Sequence, residues 1–147
     1  MRLQSAIFTL EDTLFTPGGA AREGLDKALA LFKMEGVWLG AVTALRAEEA
    51  QKALERAGLS SYFRFVLTEQ VALCKVGSAT MFERAMKRLH GQKDDTAVFS
   101  GSLAAIEQAG DAGFRTVAVR GGADEEAWRV MRAAAAQSLE SYSELLG

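Results

Sequence analysis

Four stretches of this sequence place hydroxyls, a lysine and small turn residues directly after short apolar runs. Thr9 to Thr13 follow Leu3–Phe8, and Thr43 follows Val37–Val42. The segment Thr68 to Lys75 follows Phe63–Leu67, and Ser100-Gly101-Ser102 follows Ala97–Phe99. Thr and Ser hydroxyls, turn N–H groups and a point cation all donate to oxyanions, so the set suits phosphate or sulfate. The expected ligand-binding residues are Thr9, Leu10, Glu11, Thr43, Ala44, Lys75 and Ser100, and Glu11 is the candidate base. Each also has a plainer reading. Thr9 and Thr43 suit strand ends that bond to neighbouring backbone, and Lys75 suits a solvated loop or an ion pair. Glu11 and Asp12 suit turns, and Ser102 suits the N-cap of the next helix. Either carboxylate could also turn inward and pair with Lys75.

The runs that precede these residues are apolar nearly throughout, as expected for strands covered on both faces. A fifth run, Thr116–Val119, is of the same kind. Between them the helical period repeats. Leu25, Ala28, Leu29 and Phe32 fall at i, i+3, i+4 and i+7, and Ala50, Ala53, Leu54 and Ala57 do the same. So do Phe82, Ala85, Met86 and Leu89, and again Ala127, Val130, Met131 and Ala134. A less regular helix is expected from about Leu103 to Ala112. Gly36, Gly58, Gly91 and Gly113 follow helix ends, where a left-handed residue is wanted. Strand and helix alternating five times predict a three-layer α/β/α, Rossmann-like domain over residues 1–147, with a mainly parallel five-stranded sheet. In such sheets ligands bind beyond the carboxyl ends of the strands, where the polar residues above collect.

Composition narrows the function classes. The chain has 147 residues, 49% hydrophobic and 24% charged, with a net charge of -2. Without a basic run it has no electrostatic footprint for nucleic acid or an anionic membrane. The single cysteine, Cys74, excludes an intramolecular disulfide and a cysteine-based zinc cage. His90 has no second histidine with which to form a metal pair. Neither a secretory signal nor an apolar span is visible, so the expected location is cytoplasmic.

Taken in order, these segments resemble the motifs of the haloacid dehalogenase superfamily, in its phosphoglucomutase-like and phosphatase-like branch. Ile7-Phe8-Thr9-Leu10-Glu11-Asp12-Thr13-Leu14-Phe15 looks like the first motif, Phe-Asp-Leu-Asp-Gly-Thr-Leu. Val42-Thr43 is similar to the second, a strand ending in Thr or Ser. Lys75, ahead of a helix beginning near Ser78, is similar to the third. Val98-Phe99-Ser100-Gly101-Ser102, with Ala109-Gly110 and the strand beyond, looks like the fourth. The resemblance covers nearly the whole chain and implies the family's core fold. It also implies an aspartyl-phosphate intermediate, with Mg²⁺ held by the nucleophile and a fourth-motif Asp.

The departures fall on the chemistry. The nucleophile position is Thr9, the acid/base position Glu11, the following Gly position Asp12, and the fourth motif's acidic pair Ser100 and Gly101. A neutral hydroxyl without a base is a poor nucleophile, and Mg²⁺ prefers carboxylate oxygens. No cofactor or metal site is therefore expected. Thr9 and Thr43 are 34 positions apart, an interval that holds one helix and its turns and leaves no room for a cap domain. Three functions follow as expectations. The first is a catalytically silent domain that binds phosphate, a phosphorylated small molecule or a protein partner. The second is a residual hydrolase using Glu11, and the third a structural, oligomerising module.

Overall fold

The computed structural model describes residues 3–146. Its central strand is β1 (Ser5–Thr9), buried at every position. Ala6 and Phe8 enter one core and Ile7 the other, which is why the run reads as continuously apolar. β2 (Trp38–Thr43) and β4 (Thr96–Ser100) flank it. β3 (Val66–Thr68) lies outside β2, while β5 (Arg115–Val119) and β6 (Gln137–Leu139) extend the other side. All pairings are parallel.

The sheet thus has six strands, not the five expected. β6 is only Gln-Ser-Leu, a polar triplet after an alanine run, and its hydropathy does not mark it. It is held by pairing with β5 and by the Ala136 N–H, which donates to Thr116 Oγ1 at 2.9 Å.

Helices α1 (Leu25–Met34) and α2 (Ala47–Arg56) pack on one face. A single turn, α3 (Glu69–Ala72), follows β3. The longer α4 (Ala79–Arg88), α5 (Leu103–Asp111) and α6 (Glu125–Ala134) cover the other face. Three helix ends turn as the glycines suggested, with φ of 79° at Gly36, 73° at Gly58 and 97° at Gly113. After α4 the left-handed residue is His90, with φ 56°. Gly91 is needed for another reason: a Cβ there would lie 2.8 Å from both Ser5 Oγ and Thr96 Oγ1. Among the described residues no helix is long and apolar enough to cross a membrane.

The chain steps outward from β1 to β2 to β3, then crosses back to β4 on the far side of β1. This reversal opens a crevice between the carboxyl ends of β1 and β4. Only a short hairpin, bridged at Phe15 and Ala21, and α1 separate β1 from β2, so no cap domain stands between them.

Beneath α1, Phe8 stacks on Phe99 with centroids 4.6 Å apart and meets Phe63 edge-on at 5.9 Å. Tyr142 opens the C-terminal 3₁₀ segment Tyr142–Leu146 and is fully buried beside them. Its hydroxyl donates to the Thr13 carbonyl at 2.9 Å, and burial pushes the phenol far above its ordinary pKa. Phe8→Ala should cost about 3–5 kcal/mol, read as a lower urea midpoint at unchanged slope. Tyr142→Phe leaves the Thr13 carbonyl without that donor and should cost about 1–3 kcal/mol in the same measurement.

Candidate functional site

Four strands end on a hydroxyl: Thr9, Thr43, Thr68 and Ser100. The register then decides which of them meet. Thr9 closes β1 beside β4, and its Oγ1 lies 2.7 Å from Ser100 Oγ and 2.7 Å from Thr13 Oγ1. Thr13 Oγ1 donates to the Glu11 carbonyl at 3.2 Å and accepts from the Gly101 N–H at 3.0 Å. Ser100 Oγ accepts from the Ser102 N–H at 3.1 Å.

One arrangement of protons satisfies all of these contacts at once. Thr13 spends its proton on the Glu11 carbonyl, so it must accept from Thr9. Thr9 has then donated its own proton and must accept from Ser100. The chain runs from Ser100 to Thr9 to Thr13 to backbone, and all three side chains are buried. Among the described residues no carboxylate or imidazole touches Thr9 Oγ1, so no base is placed beside it to take its proton.

Glu11 faces the other way. Thr43 Oγ1 donates to its Oε1 at 2.7 Å, and the Ala44 N–H donates to its Oε2 at 2.8 Å. The Leu45 N–H donates to Thr43 Oγ1 at 3.0 Å, which directs the hydroxyl proton toward the carboxylate. A hydroxyl and a backbone amide converging on two oxygens form a cradle for an oxyanion. Glu11 fills it. The register supports this contact, since Thr9 pairs with Val42 and Glu11, two residues on, comes level with Thr43–Ala44.

The other expected residues are less engaged. The Leu10 N–H is used in the sheet, donating to the Val42 carbonyl at 2.9 Å, and its side chain is fully buried. The Lys75 side chain is exposed and makes no ion pair among the described residues. Its loop is anchored by Glu69, whose Oε2 accepts from the Val76 N–H at 2.7 Å. Ser78 Oγ donates to the Lys75 carbonyl at 2.7 Å. Glu11 has therefore turned inward, toward Thr43 and Ala44 and not toward Lys75. Ser102 caps α5, accepting from the Ala105 N–H at 3.3 Å.

Thr13 is the residue that sequence reasoning undervalued. It stands four positions beyond Thr9 and is the hub of the hydroxyl cluster, and that spacing is the signal that could have drawn attention to it. The anchoring of its carbonyl by Tyr142, 129 residues away, carries no sequence signal.

The donor set fits Mg²⁺ poorly. A hard divalent ion takes carboxylate oxygens, and here neutral hydroxyls stand at the crevice, each already committed to a neighbour. Among the described residues no group of three His, Cys, Asp or Glu could hold a metal. The space for a fourth-motif acid is also closed. Asp12 adopts a left-handed φ of 61°, and a Cβ added at Gly101 would lie 2.8 Å from the Asp12 carbonyl oxygen.

The fold and motifs have counterparts. The structure superposes on a Thermotoga maritima protein assigned as a beta-phosphoglucomutase, with TM-score 0.81 and 16% identity, over 98% of this chain and 97% of that one. It also superposes on the L-2-haloacid dehalogenase of Xanthobacter autotrophicus, with TM-score 0.80 and 10% identity, over 97% and 96%. Other similar proteins are longer. A HAD phosphatase from Thermococcus onnurineus matches with TM-score 0.73 and 20% identity, over 85% of this chain but 56% of its own. At these identities the likeness shows the fold. No curated protein matches the chain. The sequence model of haloacid dehalogenase-like hydrolases matches residues 10–119, most of the chain. On that match, and with the sheet order and motif positions described above, the chain belongs to the haloacid dehalogenase-like hydrolase family.

Proposed function

We propose that this chain is a non-catalytic member of its family, a phosphate-binding domain whose cradle is held by its own Glu11. The observation that carries the reading is the two-point seat of the Glu11 carboxylate on Thr43 Oγ1 and the Ala44 N–H, at 2.7 and 2.8 Å. A ligand phosphate could use the same two donors, with Lys75 swinging in from the rim as counter-charge. It must displace Glu11 to do so. Two anions about 4 Å apart repel by roughly 4 kcal/mol at an effective dielectric near 20, so both cannot occupy the cradle. The ligand class is phosphate or a phosphorylated small molecule, in keeping with the names of the beta-phosphoglucomutase and phosphatase to which the fold is similar.

Turnover is not supported by the chemistry. A covalent route needs a nucleophile at Thr9, whose proton is committed to Thr13 and whose neighbours include no base. A route through water would need Glu11 as base, but both its oxygens are engaged by donors. Among the described residues neither route has a positive group held against the developing charge, since the Lys75 side chain is exposed and fixed by no ion pair.

Three outcomes are expected. Phosphate release from para-nitrophenyl phosphate and simple sugar phosphates should stay at the buffer rate, with or without added Mg²⁺. Glu11→Ala should bind inorganic phosphate at least about tenfold more tightly than wild type, read by calorimetry or phosphate-dependent thermal stabilisation. Lys75→Ala in that background should reverse part of the gain. Divalent-dependent hydrolysis by the wild-type chain would refute the non-catalytic reading. Unchanged phosphate affinity in Glu11→Ala would refute the cradle.

A further inference from the structure

A second site stands at the opposite end of the sheet, on the face covered by α1. Along β5 the residues Arg115, Val117 and Val119 share one side, and the two valines belong to the core beneath α1. Arg115 opens this row, placing a permanent charge where the pattern otherwise puts apolar groups. Its partner across the ladder is Ala97 of β4, too small to fill the space beside a guanidinium. The result is a cavity of about 310 Å³, lined by Phe32, Phe99, Val117 and Leu145, with Arg115 and Gln137 as polar lining.

One arm of the guanidinium is left without an acceptor, on a side chain that is half-buried as a whole. Arg115 Nη1 is buried and has no hydrogen-bond partner. No carboxylate among the described residues forms an ion pair with it. The nearby Thr116 hydroxyl does not help, because it lies on the other side of the strand and already accepts from the Ala136 N–H. A buried N–H of a charged group that finds no acceptor is costly, and arginine cannot escape the cost by losing its proton. Apolar walls with one convergent charged donor are the usual make-up of a small-ligand pocket, and this volume falls at the lower end of the roughly 300–1,000 Å³ such pockets occupy.

We propose that this cavity binds a small organic carboxylate, with the carboxylate on Arg115 and an apolar body against Phe32, Phe99, Val117 and Leu145. The chemistry selects the class. A carboxylate presents two oxygens to the guanidinium fork and carries one charge to match its one. A phosphate monoester dianion would bring a second charge into an apolar cavity with nothing to neutralise it. A neutral body without a head group would leave Nη1 still unpaired. The site is independent of the Glu11 cradle, which lies at the carboxyl ends of β1 and β2.

The test is titration of the full chain with octanoate and, separately, with 1-octanol, read by calorimetry and by methyl NMR. Octanoate should bind saturably and shift the methyl resonances of Val117 and Leu145. Octanol, its neutral counterpart, should bind at least about tenfold more weakly. Arg115→Met should weaken octanoate by a similar factor while melting no lower than wild type without ligand, because it removes a buried N–H that has no acceptor. The proposal is overturned if octanoate does not saturate, or if octanol binds equally well. Octanoate shifts confined to residues outside the cavity would also overturn it. The octanoate–octanol comparison in the wild-type chain stands even if Arg115→Met fails to fold.

Discussion

A tethered carboxylate in a seat built for an oxyanion is the interaction on which the rest of this site depends. Glu11 reaches Thr43 and Ala44 because β1 and β2 pair in parallel, with Thr9 opposite Val42. Two residues beyond Thr9, the chain delivers a carboxylate to the first free hydroxyl and amide after β2. A group delivered by its own backbone acts at an effective concentration in the millimolar range or above, so a free ligand must compete against it at every encounter. The same contact holds the Glu11 carboxylate on Thr43 and Ala44, apart from the Thr9 hydroxyl, which bonds to Thr13 and Ser100.

Beside that contact the hydroxyls at the ends of β1 and β4 satisfy one another. The chain from Ser100 through Thr9 and Thr13 to backbone pairs each of these hydroxyls with a neighbour. Backbone geometry reinforces the change. Asp12 turns in a left-handed conformation, and its carbonyl oxygen lies where side chains at Gly101 or Gly121 would otherwise grow, 2.8 and 2.7 Å from their would-be Cβ atoms. Acid placed at Gly101 would therefore have to move the Asp12 peptide as well. The hydroxyls, the glycine and the turn form one packed unit.

Much of this was legible in the residues, and the parts that were not have physical reasons. The strands buried on both faces advertised themselves through continuous apolar runs, and the glycines after α1, α2 and α5 marked true left-handed ends. β6 gave no such signal, because a three-residue edge strand of Gln, Ser and Leu buries only Leu139, too little for an apolar run to show. α3 is a single turn, too short to show a period. At the site, residue types pointed to an oxyanion cradle, but types alone do not say which anion sits in it. Whether Glu11 paired with Lys75 or with Thr43 depended on strand register and loop anchoring. The roles of Thr13, Tyr142 and Arg115 depend on partners distant in sequence or on their absence, which no local pattern encodes.

The Ala44 amide reports directly on the central contact. In a ¹H–¹⁵N spectrum of the wild-type chain in phosphate-free buffer, its proton should lie well downfield, as expected for a charge-assisted hydrogen bond. Glu11→Ala should move it upfield, and added phosphate should return it toward the wild-type position in that variant. An Ala44 resonance that ignores the replacement of Glu11 would contradict the account, because the carboxylate would then not be seated where the fold delivers it.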